Sequence, residues 1–318
     1  MNRNALFCLA STVLAGATLA SISPISAADA SGELPAGGLA FAANPSISIE
    51  RQDLLVSRDL ITLTYALRNE AQSPQAILIT FALPELDTNA VADGEVILPS
   101  ADPSNYVQFS PKVDGQAPAF KIEQRAFALG LEVSEALAKN HIPLFPFSTT
   151  SSGKLSGLTV DDRLDFLERG ILKEDGSSVI AAWTLKTIAH WRQVIPAGQR
   201  INIVHSYRPI TGVAPYKTET LQSLRKRSCL SDAQEGAIAK LPSEGGVTPT
   251  FTSVGFLAIS GSDNLGPPRR FRLLIETADQ FTVVATCRDG LKRTGPTQLE
   301  WTATDHVLEE DLHVLFVR

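Results

Sequence analysis

The sequence is short of charge. Only 19% of its 318 residues are Asp, Glu, Lys or Arg, too few for a disordered acidic tail, whereas 44% are hydrophobic, enough for a large core. It also lacks a basic excess. With 28 Lys and Arg against 34 Asp and Glu, the net charge is −6, so nothing in the bulk electrostatics draws the chain onto a phosphate backbone, and nucleic acid is not an expected partner. Beyond residue 28 no apolar run reaches the roughly 20 residues that a spanning helix needs, so no transmembrane segment is expected in the mature chain. No repeat occurs at a solenoid or propeller period. A G-x-S-x-G nucleophile elbow, a P-loop and a dinucleotide fingerprint are all missing, which leaves no enzyme signature and no expected cofactor.

What the chain does have is an address. Arg3 is a basic start, Ala5 to Ala20 is apolar, and Ser26-Ala27-Ala28 places small residues where a signal peptidase reads, so a signal peptide of residues 1–28 is expected. The apolar run contains Gly16 and is too short to span a bilayer; Cys8 lies too early to be a lipoprotein cysteine. The mature protein is therefore expected to be periplasmic or secreted. Cleavage leaves Cys229 and Cys287, an even pair in an exported chain, and such a pair is expected to form a disulfide.

Periodicity predicts a mainly β chain: antiparallel sandwich-like domains with a small α-helical insertion. Ile61, Leu63, Tyr65 and Leu67 alternate with more polar neighbours. After a polar loop at 69–73, Ile77, Ile79, Phe81 and Leu83 alternate again up to Pro84, which reads as an antiparallel hairpin. A second hairpin is predicted where residues 184–195 turn through Pro196-Ala197-Gly198 into 200–207, with Ile201, Ile203, His205 and Tyr207 on one face. At about 119–175 the period becomes helical. Val133, Ala136 and Leu137 share a face, and Thr159 with Asp162 has the capping-box pattern for a helix carrying Leu164 and Leu167 and ending at Gly170. The Ser/Thr/Gly-rich stretch 148–157 reads as an exposed loop. Pro209, Gly212 and Pro215 suggest a boundary, giving an N-terminal β domain at 29–215 and a C-terminal β domain of short strands at 216–318.

Few residues could carry chemistry. His205 lies in phase with an apolar strand face, where a partnered imidazole can act as a general base; the more economical role is a core histidine hydrogen-bonded to a neighbour. His190, beside Trp191, is a second histidine of the same kind. His306, Glu309, Glu310, Asp311 and His313 resemble loose metal ligands but have no zinc spacing, so no metal is expected. Asp161 and Asp162 could pass for paired carboxylates, yet the first turn of a helix suffices to explain them. Arg225-Lys226-Arg227, and Arg269-Arg270 with Arg272, are small basic clusters that could meet an anionic surface or form solvated faces. Trp183, Trp191 and Trp301, with Tyr207, could stack on sugars if exposed or anchor a core if buried.

Four segments together resemble an exported bacterial family known as domain of unknown function 4424. They are the opening Ala30-Ser31-Gly32-Glu33-Leu34 with Gly37-Gly38-Leu39, Asn44-Pro45 and 50–57; Tyr65 to Asn69 with Phe81-Ala82-Leu83-Pro84; Trp191 to Gly198 with His205, Tyr207, Pro209 and Gly212; and Cys287-x-Asp289-Gly290-Leu291-Lys292 with Gly295-Pro296, Trp301 and Asp311-Leu312. One departure is Asn264-Leu265-Gly266-Pro267, where the family usually carries a Trp beside its Gly-Pro. The resemblance implies export and a β-rich fold and transfers no activity. The expected function is thus a non-enzymatic binding or accessory module of the bacterial cell envelope, with an envelope protein or polysaccharide as its partner. The rival is an envelope hydrolase or carbohydrate-active enzyme using His205 or His190.

Overall fold

A computed structural model describes residues 36–88, 98–211, 213–216, 218–241, 249–257 and 264–318. The expected signal peptide, residues 1–28, lies outside them. Strands form four sheets among the described residues. The largest runs β18–β19–β16–β3–β4–β13–β7, built in that order from Lys292–Gly295, Gln298–Ala303, Phe271–Glu276, Ile47–Ser57, Ile61–Asn69, Arg200–Tyr207 and Ser110–Val113. The second joins β2 (Ala40–Phe41), β5 (Gln75–Ala82), β12 (Thr184–Ile195), β8 (Lys121–Ala128) and β9 (Leu131–Glu132), with β6 (Leu86–Asp87) also on β12. The third contains β1 (Ala36–Gly37), β15 (Thr250–Leu257), β20 (Leu312–Val317) and β17 (Val283–Ala285), with β14 (Val213–Pro215) on β15. A two-stranded ribbon, β10 (Leu172–Asp175) and β11 (Ser178–Ala181), completes them. The protein is mainly β and mostly antiparallel, as periodicity predicts; β3 with β16 and β1 with β15 are parallel.

Neither predicted hairpin is one. β4 pairs with β3 and β13, whereas β5 pairs with β12 and β2. Each of the two turns therefore carries the chain from one sheet to the other as an arch. The physical reason is that both strands of an arch aim their apolar residues at each other across the core, which produces the same alternation as a hairpin aimed at one side. Ile61, Leu63, Tyr65 and Leu67 of β4 and Ile77, Ile79 and Phe81 of β5 all belong to one buried cluster. The Phe81 ring meets Tyr207 of β13 at 5.2 Å across the gap.

The two arches lie side by side and share a buried pin. Asn69, 0% exposed, donates from Nδ2 to the carbonyls of Ser73 (2.9 Å), Ile195 (3.0 Å) and Pro196 (3.0 Å), and its Oδ1 accepts from Ala71 N–H (2.9 Å). Backbone bonds from Asn69 N–H to Gln199 O and from Gly198 N–H to Ala71 O complete the stitch. Gly198 has φ +64°, the left-handed region that favours glycine in such a turn.

The third sheet is buried on both faces, which explains the nearly unbroken burial of β15 and β20. Val254, Phe256, Val314 and Phe316 join the main core, whereas Phe251, Leu315 and Val317 pack with Leu224 and Ile238 of two helices, Thr218–Ser228 and Asp232–Ile238. Those helices stand where only short strands were expected. The Cys229–Cys287 disulfide ties the end of the first to the segment after β17, at an S–S distance of 2.08 Å.

The helical insertion has its own core around Leu137, Leu155, Phe166 and Trp183. Its expected start near 119 is corrected: Lys121–Ala128 is a strand, held by pairing with β12. Thr159 caps the helix Val160–Glu168 by accepting Asp162 N–H at 3.1 Å, and Gly170 follows it with φ +64°. Phe166 faces this core while Leu164 is exposed. The loop expected at 148–157 contains a helix, Thr149–Ser156, besides Ser134–Lys139 and Val160–Glu168. It has no apolar period to betray it, but Ser148 caps it by accepting Ser151 N–H, and the buried Ser151 hydroxyl donates to Phe145 O at 2.6 Å. The boundary expected at 215/216 runs through the largest sheet, because β16, β18 and β19 lie in it beside β3, β4 and β13.

Candidate functional site

His205 lies inside the sandwich. It is 0% exposed and ringed by aromatics: Tyr65 and Tyr207 are stacked at 6.0 and 6.3 Å, with Phe81 and Phe109 tilted against it at 5.5 and 5.7 Å. Neither ring nitrogen has a hydrogen-bond partner among the described residues. Burial pushes its pKa down to about 3, so the imidazole is neutral. The economical expectation of a satisfied core histidine is half met: it is core, but without a hydrogen-bond partner among the described residues. Burial likewise raises the Tyr65 and Tyr207 phenols, whose hydroxyls are used structurally, Tyr65 accepting Leu39 N–H and Tyr207 donating to Ala36 O.

His190 is on the opposite, outward face of β12 and touches Glu123 at 3.0 Å. The two histidines belong to different sheets and are not brought together. Trp191 (4% exposed) and Trp183 (0% exposed) are core anchors, the latter donating from Nε1 to Leu144 O at 2.8 Å. Only Trp301 is partly open, packed against His306 and under the Arg288 guanidinium at 4.7 Å. A sugar platform of two exposed tryptophans is therefore not formed. No three His, Cys, Asp or Glu side chains among the described residues cluster as metal ligands. Arg225 pairs with Asp232 and Glu235 and joins its two helices.

The outward face of the largest sheet carries a concave site. The parallel register sets Arg272 of β16 beside Asp53 of β3, and the antiparallel register sets it opposite Thr302 of β19. An irregularity in β3 at Ile49/Arg51 precedes these residues, and Arg269 N–H and Gln52 N–H fasten the start of β16 to it. A hollow of about 570 Å³ results, lined by Arg51, Asp53, Arg270, Arg272, Thr302 and Thr304. It adjoins a second of about 270 Å³, whose walls include Lys292, Thr294, Glu300, Trp301 and the shared Thr302. Arg51 pairs with Asp53 at 3.2 Å, and Arg272 with Glu300 at 2.8 Å. Its hydrogen bond from Arg272 holds Glu300 below the ordinary carboxylate range. Arg270 and Lys292 make no ion pair among the described residues. The 269–272 run was visible in the sequence; Arg51 and Lys292 carried no signal there, since only the β3–β16–β19–β18 pairing assembles them.

Fold and site together define a mainly β protein of stacked sheets with a cation-lined groove on its outer face. The chain belongs to the family described as domain of unknown function 4424, whose profile matches residues 27–315. No curated protein matches it. Among solved structures it has a likeness to a candidate nutrient-binding protein of Legionella pneumophila, at 11% identity over 89% of this chain and 70% of that one, with a TM-score of 0.44. A second likeness is to dimeric latent PorU of Porphyromonas gingivalis, at 11% identity over 90% of this chain and 20% of that one, with a TM-score of 0.15. Neither carries an inference about fold or function.

Proposed function

We propose that the mature chain is a binding module of the bacterial cell envelope, periplasmic or secreted, that acts without catalysis and meets an envelope protein or polysaccharide on the groove of its largest sheet. One observation carries this reading. A chain of net charge −6 gathers four cationic side chains in two adjoining hollows and leaves two of them without an ion pair among the described residues. Such a local positive field in an acidic protein attracts an anionic partner.

The hydrolase reading needs an imidazole that a substrate can reach. His205 is sealed among rings and offers none. His190 is reachable, and its contact with Glu123 favours that reading, because a carboxylate can orient an imidazole as a base. In-cell crosslinking of the mature protein, followed by affinity capture and mass spectrometry, separates the two. The expected result is an envelope component that the wild type retains and Arg270→Gln loses. Equal recovery by both would remove the groove as the binding surface, and glycan hydrolysis abolished by His190→Ala would establish the enzyme instead.

A further inference from the structure

The groove has the chemistry of a particular ligand class. The two cations without an ion pair among the described residues, Arg270 and Lys292, lie one in each hollow, so the groove presents separated positive points rather than a single anion cradle. Between them the lining is hydroxyl and carboxylate: Thr302, Thr304, Thr294, Asp53 and Glu300 can donate to or accept from alcohols. Trp301, whose ring packs on Phe271 and His306, adds to the wall of the smaller hollow. The larger hollow, about 570 Å³, is of the size of ligand pockets rather than of a single inorganic ion. Arginine offers a planar fork to oxyanions, and lysine a point charge.

We infer that the groove binds an acidic oligosaccharide, a hydroxylated chain with an anionic group on successive sugars; this rests on the binding role proposed above. The neutralising partners of Arg51 and Arg272 leave their guanidinium edges oriented, while Arg270 and Lys292 take the incoming anions. Neither nucleotide nor membrane is required to explain the lining.

Calorimetric titration of the mature, disulfide-bonded protein with an oligogalacturonate, its methyl ester and inorganic phosphate tests this. Expected are binding of the acid that weakens as salt rises, no binding of the neutral ester, and about tenfold weaker binding in Arg270→Gln and in Lys292→Gln, the size of losing one charge-assisted contact. Both residues are solvent-facing, so the variants retain the fold, and Lys121→Gln on the other sheet should bind as the wild type does. Equal binding of acid and ester, phosphate binding without saccharide binding, or unchanged affinity in both groove variants would each overturn the inference. If none of the three ligands binds while crosslinking still yields a component lost with Arg270→Gln, the ligand class is wrong and the groove remains the binding surface. If that component is also absent, the binding role itself falls.

Discussion

Acidification should unfold this protein partly through one side chain, His205. In the folded chain burial holds its pKa at about 3, against about 6.5 for an exposed histidine. The unfolded chain therefore binds a proton below pH 6.5 that the folded chain refuses, and stability contributed by the neutral imidazole is lost as pH falls from 6.5 toward 3. The loss is about 1.4 kcal/mol per pH unit in that window, so about 2.5 kcal/mol between pH 7.5 and pH 4.5. Carboxylates held in ion pairs add to acid lability, so the effect of His205 has to be read by difference. His205→Phe removes both ring nitrogens and keeps a flat ring among Tyr65, Tyr207, Phe81 and Phe109. Its larger ring can cost about 1–3 kcal/mol through crowding, but that offset is independent of pH. Urea unfolding of both proteins at pH 7.5, 6.5, 5.5 and 4.5 gives the two stability curves. The gap between them should shift by about 2.5 kcal/mol in favour of the phenylalanine variant on acidification. Parallel curves would falsify the buried, neutral imidazole and reopen His205 as a solvent-linked base.

Three further outcomes follow from named contacts. Asn69→Ala strips four hydrogen bonds from the paired arches and leaves buried carbonyls unpartnered; chemical denaturation should show a loss of about 2–4 kcal/mol, and a loss under 0.5 kcal/mol would mean that the pin is not needed. Titration of the unfolded, unreduced chain from residue 29 onward should find no free thiol, and reduction of the Cys229–Cys287 bridge, 58 residues apart, should lower stability by up to about 4 kcal/mol. Ser148→Ala removes the cap of the helix at 149–156 and should cost about 1 kcal/mol, seen as a lower urea midpoint with unchanged slope; no change would argue that this segment gains nothing from its cap.

Much of the chain's local character was legible in its residues. The alternation at 61–67 and 77–83 identified strands and their buried faces, because a strand's side chains point to opposite sides in strict turn. The Thr159 cap was an equally local signal, needing only residue types and a short spacing, whereas the cysteine pair, 58 residues apart, was legible from its even number in a chain read as exported. The helix at 149–156 escaped because serine and threonine at five of its eight positions leave no apolar stripe, and its stabilising contact, Ser151 to Phe145 O, lies outside the periodic pattern. Pairing was not legible at all. Alternation states that a strand has an apolar side but not which strand lies next to it, so two arches looked like two hairpins. The groove was hidden for the same reason: Arg51 comes from one end of the chain and Arg270, Arg272 and Lys292 from the other, and the parallel contact of β3 with β16 brings them together. Sequence alone determined which side chains favour leaving water, because that preference is a property of each side chain. Tertiary structure decided which strands share a sheet and which cations share a hollow, because those depend on long-range register and on the twist and packing of whole sheets.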